Sequence, residues 1–187
     1  MKEDKFQNLY KRSSTRDKYH DYNNGQYFIT VCTAQRKHFF GEIIPDKSEH
    51  QMKMCLSELG CYAQEQLNDI SAHYPFADIP LSVVMPDHIH AMIRIEGDFN
   101  NNTTDTEQVS IQQLNHQKGY LSVVVGGMKS SITHYAHLHH IPFAWQQRFY
   151  DHIVRNQNEI NLISDYIDGN IQNWGSEKGD LFFEPLP

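Results

Sequence analysis

The chain has no apolar run approaching the roughly 18 residues that a membrane-spanning helix needs, so no membrane association of that kind is expected. Cysteine is scarce. Cys32, Cys55 and Cys61 are odd in number and share no metal-type spacing, which argues against a disulfide framework or a zinc knuckle and suits a reducing cytoplasm. Behind Met1-Lys2-Glu3-Asp4-Lys5 comes no apolar stretch, and a secretory signal is not expected. Positive charge is short as well: 16 Lys and Arg stand against 23 Asp and Glu, a net charge of −7. At first sight that balance speaks against a polyanionic partner.

The distribution of charge weakens the objection. Residues 1–40 carry eight Lys and Arg against four Asp and Glu, and residues 111–155 carry four against one. Screening over about 8–10 Å at physiological salt lets a local basic face act despite an acidic back. Mixed solvated surface charge explains the same numbers, so charge alone does not decide. With 39% hydrophobic and 12% aromatic residues among 187, residues 1–187 are expected to form a single domain with a sizeable core.

Residues 1–22 are polar and basic and read as an N-terminal arm. Tyr27 to Thr33, rich in β-branched and aromatic types and entered through Asn23-Asn24-Gly25, reads as a strand. From about Glu49 to Ile70 the apolar positions Met52, Cys55, Leu56, Leu59, Tyr62, Ala63, Leu67 and Ile70 follow a helical period. Ile79 to Met85 and His88 to Glu96 read as a hairpin turning at Pro86-Asp87. Residues 97–110, with Asn100-Asn101-Asn102-Thr103-Thr104, read as a flexible polar insertion. A second helix over about 118–139 runs through Leu121, Val124, Val125, Met128, Ile132 and Tyr135. Gly126-Gly127 inside it costs about 1 kcal/mol each relative to Ala, which points to a close backbone approach or a broken helix. Phe149 to Val154 reads as a fourth strand. A last helix spans about Gln157 to Trp174, with Asn156 and Glu159 at capping-box spacing and a stripe of Ile160, Ile163, Ile167, Ile171 and Trp174.

This order predicts an α+β fold, a ferredoxin-like βαββαβ sandwich with an antiparallel sheet and helices on one face. The extra C-terminal helix is then free to cover the other face. His88 and His90 are two residues apart on the third strand, so they share a face, while Ile89, Ala91, Ile93 and Ile95 turn to the opposite one. Two imidazoles projecting together from a rigid strand make half of a divalent-metal site. Two half-exposed histidines in a chain that has twelve would look the same. On the last helix Tyr166 and Asn170 lie one turn apart on one face. A tyrosine can serve as a covalent nucleophile, and an asparagine can offer a carbonyl oxygen to a metal. Spacing alone does not separate that pair from a tyrosine flanking the core stripe. The tract His134-Tyr135-Ala136-His137-Leu138-His139-His140 has no carboxylate or cysteine placed with it and reads as an exposed helix end.

Several strings together resemble the single-tyrosine HUH transposases of insertion sequences, the family with the IS200-like transposase domain. They are Gly25-Gln26-Tyr27-Phe28-Ile29-Thr30 with Arg36 and Phe40-Gly41, then Val84-Met85-Pro86-Asp87-His88-Ile89-His90. Gly127-Met128-Lys129-Ser130, Trp145-Gln146-Gln147-Arg148-Phe149-Tyr150-Asp151-His152 with Arg155, and Asp165-Tyr166-Ile167 with Asn170 follow in order. The Trp-Gln and Asp-His-x-x-Arg strings resemble especially the REP-associated tyrosine transposase branch. The resemblance implies that His88 and His90 hold Mg²⁺ or Mn²⁺, that Asn170 completes the protein ligands and that Tyr166 is the nucleophile. One departure stands out: Asn170 is followed by Ile171 where the family often has Asn-Pro. Asp165 and Asp168 are rival oxygen donors in poorer helical phase.

The implied chemistry is metal-dependent cleavage and transfer of single-stranded DNA beside a hairpin, through a 5′-phosphotyrosine bond. The expected setting is the bacterial cytoplasm, at the nucleoid, as a monomer or homodimer. Lys129, Arg148 and Arg155, with Arg12, Arg16 and Lys18 of the arm, are candidates for phosphate contacts. Trp145 and Phe149 are candidates for base stacking or for the core. A domesticated, non-cleaving hairpin-binding protein on the same fold is one alternative. A metal hydrolase using the histidines with a carboxylate such as Asp87 is another.

Overall fold

Strand β1 (Gly25–Cys32) occupies an inner position of a four-stranded sheet because its residues bury on both faces. The computed structural model describes residues 20, 22–48, 51–96 and 119–175. Within them β1 is followed by a hairpin of β2 (Gly41–Asp46) and β3 (Gln51–Leu56), helices α1 (Glu58–Asn68) and α2 (Ile70–His73), and strands β4 (Ala77–Met85) and β5 (His88–Ile95). Helix α3 (Tyr120–Leu138), strand β6 (Tyr150–Val154) and helix α4 (Gln157–Gly169) complete the order. The sheet runs β4-β5-β1-β6, each neighbouring pair antiparallel, which is the ferredoxin-like arrangement expected. The arm expected over 1–22 and the insertion over 97–110 lie outside the described residues, apart from His20 and Tyr22, and Tyr22 belongs to the core.

The two faces of the sheet carry separate cores. On one, Ile29, Val31, Ile89, Ala91, Ile93 and Ile95 pack with Leu59, Ala63 and Leu67 of α1 and with Leu121, Val124, Val125, Met128 and Ile132 of α3. On the other, Phe28, Val83, Met85, Met92 and Val154 meet Ile163 and Ile167 of α4. The extra helix therefore covers the histidine face. Its start is fixed as the spacing predicts, with the Asn156 side chain accepting from the Glu159 N–H at 3.0 Å.

Strand β2 and the short α2 have no counterpart in the sequence expectation, and two further elements differ from it by several residues. The single helix expected from Glu49 to Ile70 is a strand, β3, followed by a helix that begins only after Ser57, whose hydroxyl accepts from the Gly60 N–H. Met52, Met54 and Leu56 alternate with exposed residues, a period of two that the longer helical count absorbed. The last helix stops at Gly169 instead of Trp174. Past that point Gln172 donates to the Met52 carbonyl and accepts from the Met52 N–H, both at 2.8 Å, and Trp174 lies against His88 and His38. These contacts with β3 and with the site draw the chain off the helical path.

Helix α3 runs unbroken through Gly126-Gly127. A Cβ on Gly127 would stand 1.7 Å from the Tyr74 hydroxyl, whereas one on Gly126 would meet nothing within 4 Å. The two positions should therefore respond with opposite sign in urea denaturation. Gly127→Ala is expected to lose about 1–3 kcal/mol through overpacking, partly recovered with Tyr74→Phe, which removes the clashing oxygen. Gly126→Ala is expected to gain up to about 1 kcal/mol of helix propensity.

Candidate active site

Position i, i+2 on β5 sends His88 and His90 to the α4 face, and the sheet register places Cys32 beside His88 and Thr30 beside His90. Both imidazoles are buried, at 5% and 2% exposure. Their Nε2 atoms stand 2.9 Å apart. The Tyr166 hydroxyl, brought down by α4, lies 3.1 Å from His90 Nε2. Phe28 stacks on the His90 ring at 5.3 Å and meets the Tyr166 ring edge-on at 6.0 Å, so the same aromatic sets the angle of both.

The outer nitrogens are tied down. His88 Nδ1 is 2.6 Å from Asp87 Oδ1, and His90 Nδ1 is 2.8 Å from Thr30 Oγ1. An ionised carboxylate only accepts, so the Nδ1–H of His88 donates to Asp87. The Thr30 hydroxyl can donate to or accept from His90 Nδ1, so the two Nε2 atoms face each other with room for one proton between them. A proton on one Nε2 makes the 2.9 Å contact a hydrogen bond to the other ring, and a cation can take that proton's place. Ligand atoms each about 2.1 Å from one cation and at right angles lie about 3 Å apart. Burial, then the neighbouring His88 and Arg36, holds His90 well below its ordinary pKa, so it stays a neutral donor of its lone pair. Partners on the outer nitrogens fix the orientation of both rings.

Asn170, the expected third ligand, is 5% exposed at the C-cap of α4, and among the described residues its side chain makes no hydrogen bond. Asp165 and Asp168 are exposed. Asp87, the carboxylate of the hydrolase alternative, binds the Nδ1 side of His88, away from the facing Nε2 atoms. Among the described residues no group of three or more His, Cys, Asp and Glu is arranged to hold a metal, and the histidine tract 134–140 is largely exposed.

The basic candidates fall in several places. Lys129 is half-buried, with Nζ donating to the Gln146 carbonyl at 2.9 Å and lying 5.6 Å from the Trp145 ring centre; burial pushes its pKa down. Trp145 packs against the main core and donates Nε1–H to the Lys129 carbonyl at 3.1 Å, which gives it a structural role. Arg148 and Arg155 are exposed before and after β6. Arg12 and Arg16 lie outside the described residues, as does Lys18.

A protein of Haemophilus influenzae, itself uncharacterized, is 30% identical over 175 residues, 91% of this chain and 93% of that one. The chain belongs to its family. Among solved structures, a REP-associated tyrosine transposase bound to a REP hairpin superposes with a TM-score of 0.54 at 18% identity, covering 89% of this chain and 77% of that chain. The chain has the tyrosine transposase fold. No family model matches it. Among the described residues no helix is long and apolar enough to cross a membrane.

Sequence reasoning missed Thr30 as the partner of His90, because the register of β1 against β5 cannot be counted from either strand alone. It also missed Asp87 as the partner of His88. There a signal existed: a carboxylate beside the first histidine, at the mouth of a two-residue turn, is placed to reach back to Nδ1.

Proposed function

We propose that this protein is a metal-dependent, single-strand-specific DNA endonuclease and strand transferase that works beside DNA hairpins through a 5′-phosphotyrosine intermediate. The observation that carries the reading is the meeting of the Tyr166 hydroxyl with His90 Nε2 at 3.1 Å, where His88 Nε2 stands 2.9 Å from the same nitrogen. His88, His90 and Asn170 would hold Mg²⁺ or Mn²⁺. Bound there, the cation would neutralise charge on the scissile phosphate and polarise it.

The chain supplies the rest. A phenol ionises near pH about 10, so Tyr166 attacks well only when it is placed and its proton has somewhere to go. Its oxygen bonds to phosphorus as the bond to the 3′-oxygen breaks; the phenolic proton leaves, and the departing oxygen takes one up. A free 3′-hydroxyl later reverses the step and rejoins a strand. Burial of the histidines keeps water from the inner side of the site. Tyr166 meets a histidine of its own chain, which supports a monomer as the working unit. Exposed Arg148 and Arg155, with Arg12 and Arg16, would contact phosphates; Lys129, already engaged with Gln146, would contribute less. The hairpin bound to the similar transposase supports a hairpin substrate here, and the cytoplasm around the bacterial nucleoid is where such a substrate would be met.

The test is incubation with pooled, labelled single-stranded DNA hairpins and Mn²⁺, followed by a denaturing gel. A DNA–protein adduct that survives SDS and vanishes with chelator is expected. Hairpin binding without any adduct would overturn the reading in favour of a non-cleaving hairpin-binding protein.

A further inference from the structure

Between β1 and β2 the backbone does something unusual. Gln35 and Arg36 both take left-handed conformations, with φ of 57° and 54°, although neither is glycine. Side chains make that region costly, and consecutive residues there persist only when their surroundings impose it. The surroundings here do. The Thr33 N–H donates to the Asp87 carbonyl at 2.9 Å, its hydroxyl lies between the Lys37 and Asp87 carbonyls at 2.8 and 3.0 Å, and the Phe40 N–H donates to the Pro86 carbonyl at 3.0 Å. The Ala34 N–H donates to the Ala144 carbonyl at 2.8 Å. The loop is thus bound to the β4–β5 turn that carries Asp87.

The product of this arrangement is one placed side chain. Arg36 Nε lies 2.8 Å from Asp87 Oδ2, and its Nη1 lies 3.0 Å from Cys32 Sγ. The other Asp87 oxygen holds His88 Nδ1 at 2.6 Å. Asp87 is buried, whereas Arg36 is 37% exposed. We infer that Arg36 is a positioning residue for the cation site: through Asp87 it fixes the ring of His88 so that the Nε2 lone pair faces His90. This rests on the proposal that His88 and His90 bind a divalent cation. The Arg36 guanidinium balances the buried carboxylate and, held at two atoms, sets its rotation; Asp87 in turn fixes the proton of His88 on Nδ1. A cation at the histidines then meets a ring already turned toward it, and the strain at Gln35 and Arg36 is accepted for that placement.

The test is Mn²⁺ affinity of the full chain without DNA, read by electron paramagnetic resonance of free Mn²⁺, for wild type, Arg36→Gln, Asp87→Asn and the double variant. Partners behind a metal-binding histidine typically matter about 10–100-fold. Each single variant is expected to weaken Mn²⁺ binding at least about tenfold within that range. The double variant, which leaves no unpaired buried charge, is expected to bind as Asp87→Asn does, since Arg36 acts through that carboxylate. Wild-type affinity in Arg36→Gln, or a further tenfold loss in the double variant over Asp87→Asn, would overturn the inference while the cation site stands. Should Arg36→Gln not fold, Arg36→Lys, which keeps the charge but loses the planar fork that holds Asp87, is expected to weaken Mn²⁺ binding at least about tenfold, and wild-type affinity in it would overturn the inference. A wild type that binds no Mn²⁺ would overturn the cation site and this inference together.

Discussion

Tyr166→Phe is expected to abolish the SDS-stable DNA adduct, a loss of at least about 10³-fold in single-strand cleavage, the scale seen when a covalent nucleophile is removed. The substitution takes away one oxygen and leaves the ring, so the edge-on contact with Phe28 at 6.0 Å and the packing of α4 on the second core persist. The lost hydrogen bond to His90 costs about 1 kcal/mol, which lowers the melting temperature by only about 2–4 °C. Hairpin binding and Mn²⁺ affinity should be near wild type, because neither depends on the phenolic oxygen. A Phe variant that still cleaves at a rate close to wild type would point instead to a hydrolytic route that needs only the histidines, the behaviour expected of the hydrolase alternative.

Removing a histidine should act differently. His88→Ala and His90→Gln are both expected to lose measurable Mn²⁺ binding and, with it, adduct formation, while hairpin binding survives. His90 also carries a pH signature. Burial holds its folded-state pKa below the ordinary 6.5. Between those two values the unfolded chain binds a proton that the folded chain does not, so this residue makes stability fall as pH drops below about 6.5. His90→Gln cannot protonate and should flatten that part of the stability curve in urea titrations between neutral and mildly acid pH. An unchanged slope would mean that His90 takes up its proton at the same pH in the folded and the unfolded chain, against the lowered value that burial gives it.

Much of this site is legible because it is written in local periods. His88 and His90 share a face by the two-residue period of a strand, and Ile89, Ala91, Ile93 and Ile95 show which face meets the main core. Ile163 and Ile167 mark the buried stripe of α4, and Tyr166 follows one residue before the second of them, so its meeting with the histidines needs only that α4 cover the free face. What the sequence conceals is pairing between distant segments. Thr30 meets His90 across a separation of sixty residues, through a register that no local pattern states. The β2–β3 hairpin is hidden because Met52, Cys55, Leu56 and Leu59 fit a helical count, while the alternation of Met52, Met54 and Leu56 spans only one short strand. The early end of α4 is hidden too, since Ile171 and Trp174 continue the apolar stripe although Gln172 is held by the backbone of β3.

Arg36 illustrates a third kind of concealment. Nothing in Ala34-Gln35-Arg36-Lys37 announces left-handed backbone, because the residues that usually permit it are absent. The conformation is imposed from outside, by Thr33 and by the turn at Pro86-Asp87.

The most direct test of the central claim is mass spectrometry of the trapped adduct after nuclease trimming and proteolysis. The account predicts a nucleotide joined through its 5′-phosphate to the phenolic oxygen of Tyr166, in a peptide seen only when Mn²⁺ and a cleavable single strand are both present. A nucleotide on any other residue, or cleavage that leaves every peptide unmodified, would contradict it.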